Sequence, residues 1–352
     1  MDIDLGRREQ QILYAIVEEH VSSGEPVSSR AISRKGPERI SSATVRNTMA
    51  DLEEQGLLEQ PHASSGRVPT ELGYRVYVDH LMRRGRVGSK DEEYIQRSLG
   101  QPVEEASEMF SQVSRVLSKV SRQVGVVVTP NLTSLRLKHI EFVRLGPRRV
   151  VAILVAASGM LHNKVIESDD EYTQEQLDRS GRYLTETFQG LTLPEIRERI
   201  RTMMSEERAA YDKMLRDALE LGHASMSGVK GEGGVGQVFL DGASNLVVAP
   251  EFADVARLQG ILRTLDERDS LMRLLTRCIE EGDPGVRVLI GSETDLPDLN
   301  LCTLIASTYG PDGSPRGALG VIGPTRMEYA KAVALVDYVS RFFGSLLTRY
   351  TS

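Results

Sequence analysis

The sequence has little of what marks several common classes of protein. It contains no Trp, only 5% aromatic residues and two cysteines. Its longest uninterrupted apolar run, residues 150–157, is far shorter than the roughly 20 residues of a membrane-spanning helix. The acidic first residues lack the basic and apolar segments of an export signal. We therefore expect a cytoplasmic protein without membrane spans.

Cysteine and histidine are too few and too scattered to indicate a metal or redox site. Cys278 and Cys302 have no neighbouring Cys or His pair, so buried free thiols are expected. No nucleophile elbow or paired-acid motif stands out. The sequence thus predicts no catalytic residues, no metal and no cofactor. Surface or packing roles are expected for the six histidines, which are His20, His62, His80, His139, His162 and His223.

Charge is distributed unevenly along the chain. The formal net charge of −7, taken alone, argues weakly against a nucleic-acid binder. However, residues 1–27 carry 2 basic and 6 acidic side chains, residues 28–90 carry 11 and 7, and residues 91–352 carry 30 and 37. A positive segment attached to an acidic body is typical of a DNA-binding module joined to a regulatory region.

Helical periodicity and cap residues predict three short helices at the start of the chain. Apolar residues at helical spacing define a first helix, which closes before a Gly-Glu-Pro turn. Ser28 is expected to cap a second helix over 29–35. Ser41 or Ser42 is expected to cap a third helix that ends before Gly56. The three helices can share one small core.

A hairpin is predicted after the three helices. Residues 57–60 and 67–68 are expected to be strands on either side of the turn-rich segment 61–66. Thr70 then caps a fourth helix, and residues 83–90 lack apolar periodicity and are expected to be a linker. The order helix, helix, helix, hairpin predicts a winged helix-turn-helix.

The third helix has a small and largely uncharged outer face. If Val45 points into the core, Met49 and Leu52 fall beside it at 100° per residue. Small residues let a helix approach the base edges of the major groove, where Arg can bind guanine and Asn can bind adenine. The residues on the outer face and its flank are Ala43, Arg46, Asn47 and Ala50.

DNA binding is favoured over the plainer alternative, a solvated helix on a small bundle. The hairpin shifts the balance, because a Gly turn with two potentially cationic side chains suits a wing on the minor groove or backbone. The helix N-terminus and its serine hydroxyls suit phosphate. The residues predicted to contact DNA are Arg30, Arg34, Lys35, Arg39, Ser41, Ser42, Ala43, Thr44, Arg46, Asn47, His62, Ser64, Ser65, Gly66 and Arg67.

The rest of the chain alternates between strand-like and helical blocks. This pattern predicts an α+β multidomain fold in which a mostly helical segment interrupts an α+β domain. Strand-like segments are expected at 125–129, 137–145, 149–157, 160–166, 239–248, 286–290, 301–309 and 317–322, and helical ones at 103–123, 172–189, 194–221, 252–281 and 328–349.

Two further features have competing interpretations. Residues 231–236 satisfy the dinucleotide-binding spacing G-x-G-x-x-G, but a polar helix precedes them and an extended segment follows, so a surface loop is favoured. The apolar stripe of residues 194–221 can pack against the neighbouring helix at 174–189. Alternatively, it can form a dimer surface, which would let two recognition helices bind an inverted repeat.

Two runs of residues closely resemble the heat-inducible transcription repressor HrcA family of bacteria. The first is the continuous segment 41–79, and the second is Gly323-Pro324-Thr325-Arg326-Met327-Glu328-Tyr329. The resemblance extends over essentially the whole chain. It implies a winged helix-turn-helix domain at 1–88, a GAF-like α+β domain at 100–170 and 284–352, and an inserted dimerisation domain at 171–283.

The resemblance also implies a function. It implies a homodimer that represses the groE and dnaK chaperone operons by binding CIRCE, an inverted-repeat operator in double-stranded DNA. Repression is relieved on heat shock, and the GroEL chaperonin supports the activity of the repressor. Two alternatives remain open: a winged-helix regulator that senses a small molecule through the GAF-like domain, and an enzyme with an accessory DNA-binding domain.

Overall fold

A computed structural model describes residues 5–35, 40–62, 65–83, 85–101, 106–129, 136–156, 161–168, 170–205, 213–226, 236–280, 285–310 and 317–351. The α-helices in chain order are α1 (Arg7–Ser23), α2 (Ser29–Lys35), α3 (Ser42–Glu54), α4 (Glu71–Val76), α5 (Ser89–Leu99), α6 (Ala106–Ser121), α7 (Gln174–Phe188), α8 (Leu193–Ser205), α9 (Lys213–Met226), α10 (Ser244–Val247), α11 (Val255–Asp266), α12 (Arg268–Glu280) and α13 (Tyr329–Thr351). The strands are β1 (Leu58–Glu59), β2 (Val68–Pro69), β3 (Val124–Val128), β4 (Leu137–Gly146), β5 (Arg149–Ala156), β6 (Leu161–Glu167), β7 (Val238–Asp241), β8 (Val286–Ile290), β9 (Cys302–Tyr309) and β10 (Gly317–Pro324).

Contacts divide the chain into two compact units. One comprises residues 1–128 and 238–344, and the other comprises 129–237 and 345–352. Both units combine helices with antiparallel strands, so the predicted α+β class is confirmed. Within the described ranges, no helix is both long and apolar enough to cross a membrane.

The first unit begins with an N-terminal module, residues 5–81, built from α1 to α4 and a hairpin. Gly24 ends α1 in the left-handed conformation, with φ of 76°. The Ser28 hydroxyl accepts the Ala31 amide at 3.2 Å, so the predicted cap of α2 is confirmed. The apolar side chains that α1, α2 and α3 bury together are Ile12, Leu13, Ile16, Val17, Ile32, Val45, Met49 and Leu52.

The hairpin of the module is shorter than predicted and has an additional pairing partner. β1 and β2 are two residues each, with Leu58 opposite Pro69. Val27, which lies between α1 and α2, pairs with Arg67 through two backbone hydrogen bonds of 2.8 and 2.9 Å. The predicted Thr70 cap of α4 is confirmed by a 3.1 Å bond from the Gly73 amide. A π-helical turn at Tyr77–Leu81 closes the module.

The remainder of the first unit is built on an antiparallel core sheet with the strand order β7-β3-β10-β9-β8. Every residue of β3 and β10 is buried, because helices cover both faces. α12 packs on β9 and β10 on one side, and α6 packs on β3 and β10 on the other. Cys302 is a buried free thiol in β9, as predicted, and burial raises its pKa to about 12.

The second unit is a separate sheet with its own helices. β4, β5 and β6 pair only with one another among the described strands, and α7 packs on β4 while α9 packs on β6. The sequence-based expectation that these strands share a domain with residues 286–323 is therefore wrong, because β4, β5 and β6 form a sheet separate from the one that contains β8, β9 and β10. The described part of the apolar stripe of α8 and α9 is internal, since Ile196, Ile200 and Leu219 are buried with α7. The packing interpretation is confirmed for these residues, while the side chains of residues 204–216 lie outside the described part of the chain.

Several sequence-based boundaries also need correction. The extended segment predicted at 239–248 is a strand only over Val238–Asp241, after which the short helix α10 follows. α5 begins at Ser89, inside the predicted linker. The glycine-rich residues 231–235 and the side chain of Cys278 lie outside the described part of the chain. Elsewhere in the described ranges, no cluster of His, Cys, Asp or Glu is arranged to hold a metal ion.

Candidate nucleic-acid interface

The two faces of α3 have the composition that helical periodicity predicts. Val45, Met49 and Leu52 are buried at 0%, 4% and 0% exposure, and they anchor the helix to the module. Thr48 is also buried, and its hydroxyl is satisfied because it donates to the Thr44 carbonyl oxygen at 3.2 Å. The opposite face is open to solvent within the chain, and its exposed members are Ala43, Arg46, Asn47 and Ala50.

The first turn of α3 is capped by Ser41 rather than Ser42. The Ser41 hydroxyl accepts the Thr44 amide at 3.1 Å and lies 2.9 Å from the Thr44 hydroxyl. The amides of the first helical turn have no partner inside a helix, and they carry the positive end of the helix dipole. The N-terminus of α3 is therefore a polar and electropositive end next to an outer face on which Arg46 is the charged member.

Side-chain hydroxyls fix α2 against α3. The Ser29 and Ser42 hydroxyls lie 3.2 Å apart, and the Ser33 hydroxyl donates to the Ile40 carbonyl oxygen at 2.7 Å. Arg30 and Arg34 are exposed on α2. The side chain of Lys35 and the whole of Arg39 lie outside the described residues. Arg30 and Arg34, two of the cations predicted to contact DNA, therefore lie on α2, which is fixed to α3.

The two ends of α3 differ in charge. Arg46 is near its N-terminus, whereas Asp51, Glu53 and Glu54 occupy its last turn. Because phosphate groups repel carboxylates, only the N-terminal half of α3 suits close approach to a nucleic acid. The outer face of α3 is therefore favourable for a nucleic acid at its N-terminal end and unfavourable at its C-terminal end.

A tight turn holds the tip of the hairpin. The Ser65 hydroxyl donates to the His62 carbonyl oxygen at 2.8 Å and accepts the His62 amide at 3.1 Å. His62 itself is exposed, and Ser64 lies outside the described residues. Gly66 packs directly on the backbone of Val27, where a β-carbon would clash with the Val27 carbonyl group. Gly66 is thus required for the pairing of Val27 with Arg67.

Arg67 is not a free cation at the tip of the hairpin. Its Nε and Nη2 atoms each lie 2.8 Å from the same carboxylate oxygen of Glu53. Sequence reasoning missed this pair, since nothing local relates two residues 14 positions apart. It also missed Val27 as a strand partner, although a single β-branched residue between two helices was a possible signal.

The described site residues lie on three elements of the N-terminal module: the exposed face of α3, the exposed arginines of α2 and the hairpin turn. Together these elements offer small side chains, amide and guanidinium donors and a helix N-terminus, and the carboxylates lie at the far end of α3. These are the groups that contact base edges and phosphates in protein–DNA complexes.

Comparison with known proteins identifies a family. Residues 107–333 match the HrcA protein C terminal domain. The chain is 41% identical over 344 residues to the heat-inducible transcription repressor HrcA of Geobacter sulfurreducens, covering 98% of each chain. It is 36% identical over 345 residues to that of Syntrophobacter fumaroxidans, again covering 98% of each.

A solved structure described as a hypothetical protein has the same fold. It superposes with a TM-score of 0.58 and 20% identity, covering 99% of this chain and 100% of the other. Since both the domain match and the relatives extend over most of the sequence, the chain belongs to the HrcA family of heat-inducible transcription repressors.

Proposed function

We propose that the protein is a homodimeric transcription repressor that binds an inverted-repeat operator through its N-terminal module. In this proposal residues 1–88 act as a winged helix-turn-helix, and the core sheet with its helices is a GAF-like domain. The operator is CIRCE, upstream of the groE and dnaK operons, and heat shock relieves repression. The GroEL chaperonin supports the active state.

The observation that carries the proposal is the exposed, compact face of α3. A recognition helix must bring its backbone close to the base edges, so large or acidic side chains on that face would prevent entry into the major groove. Over residues 42–50, the N-terminal part of α3, the exposed residues are two alanines, one Asn and one Arg. Arg46 is assigned to a guanine, where it can bind O6 and N7, and Asn47 is assigned to an adenine, where it can bind N6 and N7.

The other cations and polar groups are assigned to the DNA backbone. Arg30 and Arg34 of α2 are assigned to phosphates, together with Lys35 and Arg39. The Ser41 and Ser42 hydroxyls and the first-turn amides are assigned to phosphate, whereas the methyl group of Ala43 or Thr44 is assigned to a thymine methyl. His62, Ser64, Ser65 and Gly66 are assigned to the wing. Arg67 is assigned a supporting role, because its guanidinium group is bound to Glu53.

The second unit offers a surface for a second copy of the chain. The face of its sheet that points away from α7 and α9 carries a row of aliphatic side chains, Val143, Val151 and Val165, which are aligned across β4, β5 and β6. Val165 and Leu145 are 48% and 54% exposed in the single chain. Burying such a face in a dimer would remove apolar surface from water and place two modules on one operator.

Footprinting on DNA upstream of chaperone operons tests the proposal. We expect one protected inverted repeat and an affinity that falls steeply with salt, since several phosphate contacts release counterions. Arg46→Ala should lose about 5- to 150-fold in operator affinity, corresponding to about 1–3 kcal/mol for one bidentate base contact. Arg341→Ala is the matched control, because Arg341 is exposed and pairs within α13 with Asp337.

Unchanged affinity in Arg46→Ala would remove α3 as the recognition helix. An operator affinity that responds to a metabolite, and not to chaperonin or temperature, would favour the small-molecule-sensing alternative. Addition of GroEL should increase the fraction of repressor that binds DNA. An unchanged active fraction would remove the chaperonin from the proposal.

A further inference from the structure

The distal motif that supports the family resemblance, residues 323–329, contacts the N-terminal module. Arg326 donates from Nη1 to the Val21 carbonyl oxygen at 3.0 Å and from Nε to Glu251. Val21 lies in the last turn of α1, where carbonyl groups lack helical partners and the helix dipole favours a cation. Arg326 and Glu251 are only 20% and 21% exposed. Arg326 thus attaches the end of α1 to the core.

Tyr329 forms the apolar part of the same contact. Its ring centroid lies 5.6 Å from that of Tyr74 and 6.3 Å from that of Tyr77, both in the last helical part of the module. All three rings are buried. The Tyr329 hydroxyl donates to the Thr325 carbonyl oxygen at 2.6 Å, which fixes its ring against the core. Aromatic pairs at these separations are favourable beyond the area they bury.

A second polar contact lies on α4. Arg75 donates from Nε to Glu293 at 2.9 Å and from Nη2 to the Val288 carbonyl oxygen at 2.6 Å, and Nη2 also pairs with Glu293. Glu71 accepts the Ser292 hydroxyl at 2.6 Å. A forked arginine–carboxylate pair has a narrow preferred geometry, so these contacts specify an orientation as well as an attachment.

Two glycines permit the closest approaches across this interface. Gly85, in the connection that leaves the module, lies against the backbone of Ala330, where a β-carbon would clash with the carbonyl oxygen. Gly291 has a positive φ of 54°, and the Glu71 carboxylate occupies the place where its β-carbon would be. Both glycines are required only if the module packs directly on the core, and a module joined to the core by its linker alone would not require them.

One group in the docked interface is unfavourable for docking. The Tyr74 hydroxyl is buried and has no hydrogen-bond partner among the residues that the structure describes. A buried hydroxyl that has lost its water is unfavourable, and it regains hydration when the module separates from the core. The contact is therefore favourable through its arginines and aromatic rings but is opposed by one unpaired polar group. Opening is thereby made easier.

We propose that Arg326, Tyr329, Arg75 and Glu71 are positioning residues that hold the DNA-binding module in one orientation on the core and so restrict the spacing of operator half-sites that a dimer accepts. The docking itself is independent of DNA, whereas the effect on half-site spacing rests on the proposed function. Removing these contacts should leave each module able to bind a half-site but free to adopt several spacings.

Limited proteolysis of the full chain tests the docking without DNA. Trypsin cleaves after arginine, and in the sequence Arg84 and Arg86 flank Gly85, whose backbone is held against Ala330. Arg326→Ala should be cleaved there about tenfold faster than the unmodified protein, since a charge-assisted contact is lost and local opening becomes more frequent. Gly85→Ala should have the same effect through a clash on the linker side. Arg341→Ala should be cleaved at the unmodified rate.

Tyr74→Phe provides a test in the opposite direction. It keeps the ring contact with Tyr329 and removes the unpaired hydroxyl, so we expect slower cleavage at the same arginines than in the unmodified chain. If Arg326→Ala fails to fold, as circular dichroism would show, the cleavage rates of Gly85→Ala and Tyr74→Phe still test whether the module is docked. Equal cleavage rates in the unmodified protein and the folded variants would overturn the proposed docking.

Binding to operators of altered spacing tests the functional part. The unmodified dimer should prefer the natural spacing over one lengthened by half a helical turn, roughly five base pairs, which places the half-sites on opposite faces of the duplex. In Arg326→Ala that preference should fall about tenfold, with half-site affinity unchanged, because a free module can adapt. An unchanged spacing preference despite faster cleavage would overturn the role in half-site selection. Failure of the unmodified protein to bind any operator would instead contradict the proposed function, and the proteolysis result would still stand.

Discussion

Arg67 of the hairpin and Glu53 of α3 form an ion pair in which Nε and Nη2 both lie 2.8 Å from one carboxylate oxygen. The two side chains are 21% and 34% exposed, so the pair is only partly screened by water. It attaches the base of the hairpin to the end of the helix proposed to bind DNA. The ion pair therefore connects the hairpin to α3 even though the two strands of the hairpin are only two residues long.

This pair predicts a measurable coupling. Arg67→Ala and Glu53→Ala should each destabilise the module by about 1 kcal/mol, and the double variant should lose less than the sum of the two. The reason is that either substitution alone already removes the interaction. Chemical unfolding followed by circular dichroism is the appropriate measurement, because the chain has no Trp. Additive effects would mean that the contact contributes nothing to stability.

The two faces of α3 should respond to substitution in opposite ways. Leu52→Ala should destabilise the module by about 2–5 kcal/mol, because it leaves a cavity in a core where Leu52 is fully buried. Asn47→Ala should change stability by less than about 0.5 kcal/mol yet weaken operator binding by about 1–3 kcal/mol. Thermal unfolding and DNA titration of both variants check this. A large loss of stability in Asn47→Ala would contradict the assignment of its face.

Local patterns in the sequence were sufficient to predict the α3 surface. The positions of Val45, Met49 and Leu52 follow from the helical period, and the caps at Ser28 and Thr70 follow from residue type and spacing. Both kinds of signal lie within a few residues of the feature that they predict. For this reason the order of elements in the N-terminal module agrees with expectation.

The separation of the two sheets could not be obtained in the same way. β3 and β5 both appear as strands, but which strand each pairs with depends on residues far away in the chain. Residue type does not separate the two strands: apart from Gly125 and Arg149 both consist of apolar residues, yet every residue of β3 is buried, whereas burial alternates along β5. A continuous apolar run is typical of a strand covered on both faces, and that rule holds for β3 but not for β5. Contacts such as Arg326 with Val21, 305 positions apart, left no local signal at all.

The stability of the docked module should depend on the protonation of His20. Burial lowers the pKa of His20, the nearby charge of Arg326 lowers it further, and the bond to the Glu25 carbonyl oxygen and the Glu251 and Glu25 carboxylates partly oppose this. Above the ordinary histidine pKa of about 6.5 the ring is neutral in both folded and unfolded chains. Below it the unfolded chain takes up the proton first, so this contribution to stability is lost as the pH falls.

We therefore expect the unmodified protein to lose more stability than His20→Gln between about pH 7.5 and pH 5.5. Thermal unfolding of the two proteins at matched pH values gives the comparison. The other five histidines are present in both proteins and cancel in the difference. Parallel loss of stability in both proteins would show that His20 does not titrate differently in the folded state.

The open sheet face of the second unit should control dimer formation. Val165 lies in β6, in register with Val151 and Val143, and is 48% exposed in the single chain. Val165→Glu should therefore disturb the protomer little, but it would place a carboxylate in an apolar interface, where an unpaired charge is strongly unfavourable. We expect the dimer dissociation constant to rise by at least about tenfold, as measured by sedimentation. Arg182→Glu adds negative charge on α7, in the layer behind the sheet, and is expected to leave the dimer intact. If both variants remain dimeric with equal affinity, the second copy binds elsewhere, and the sheet face is excluded as the surface that brings two modules to one operator.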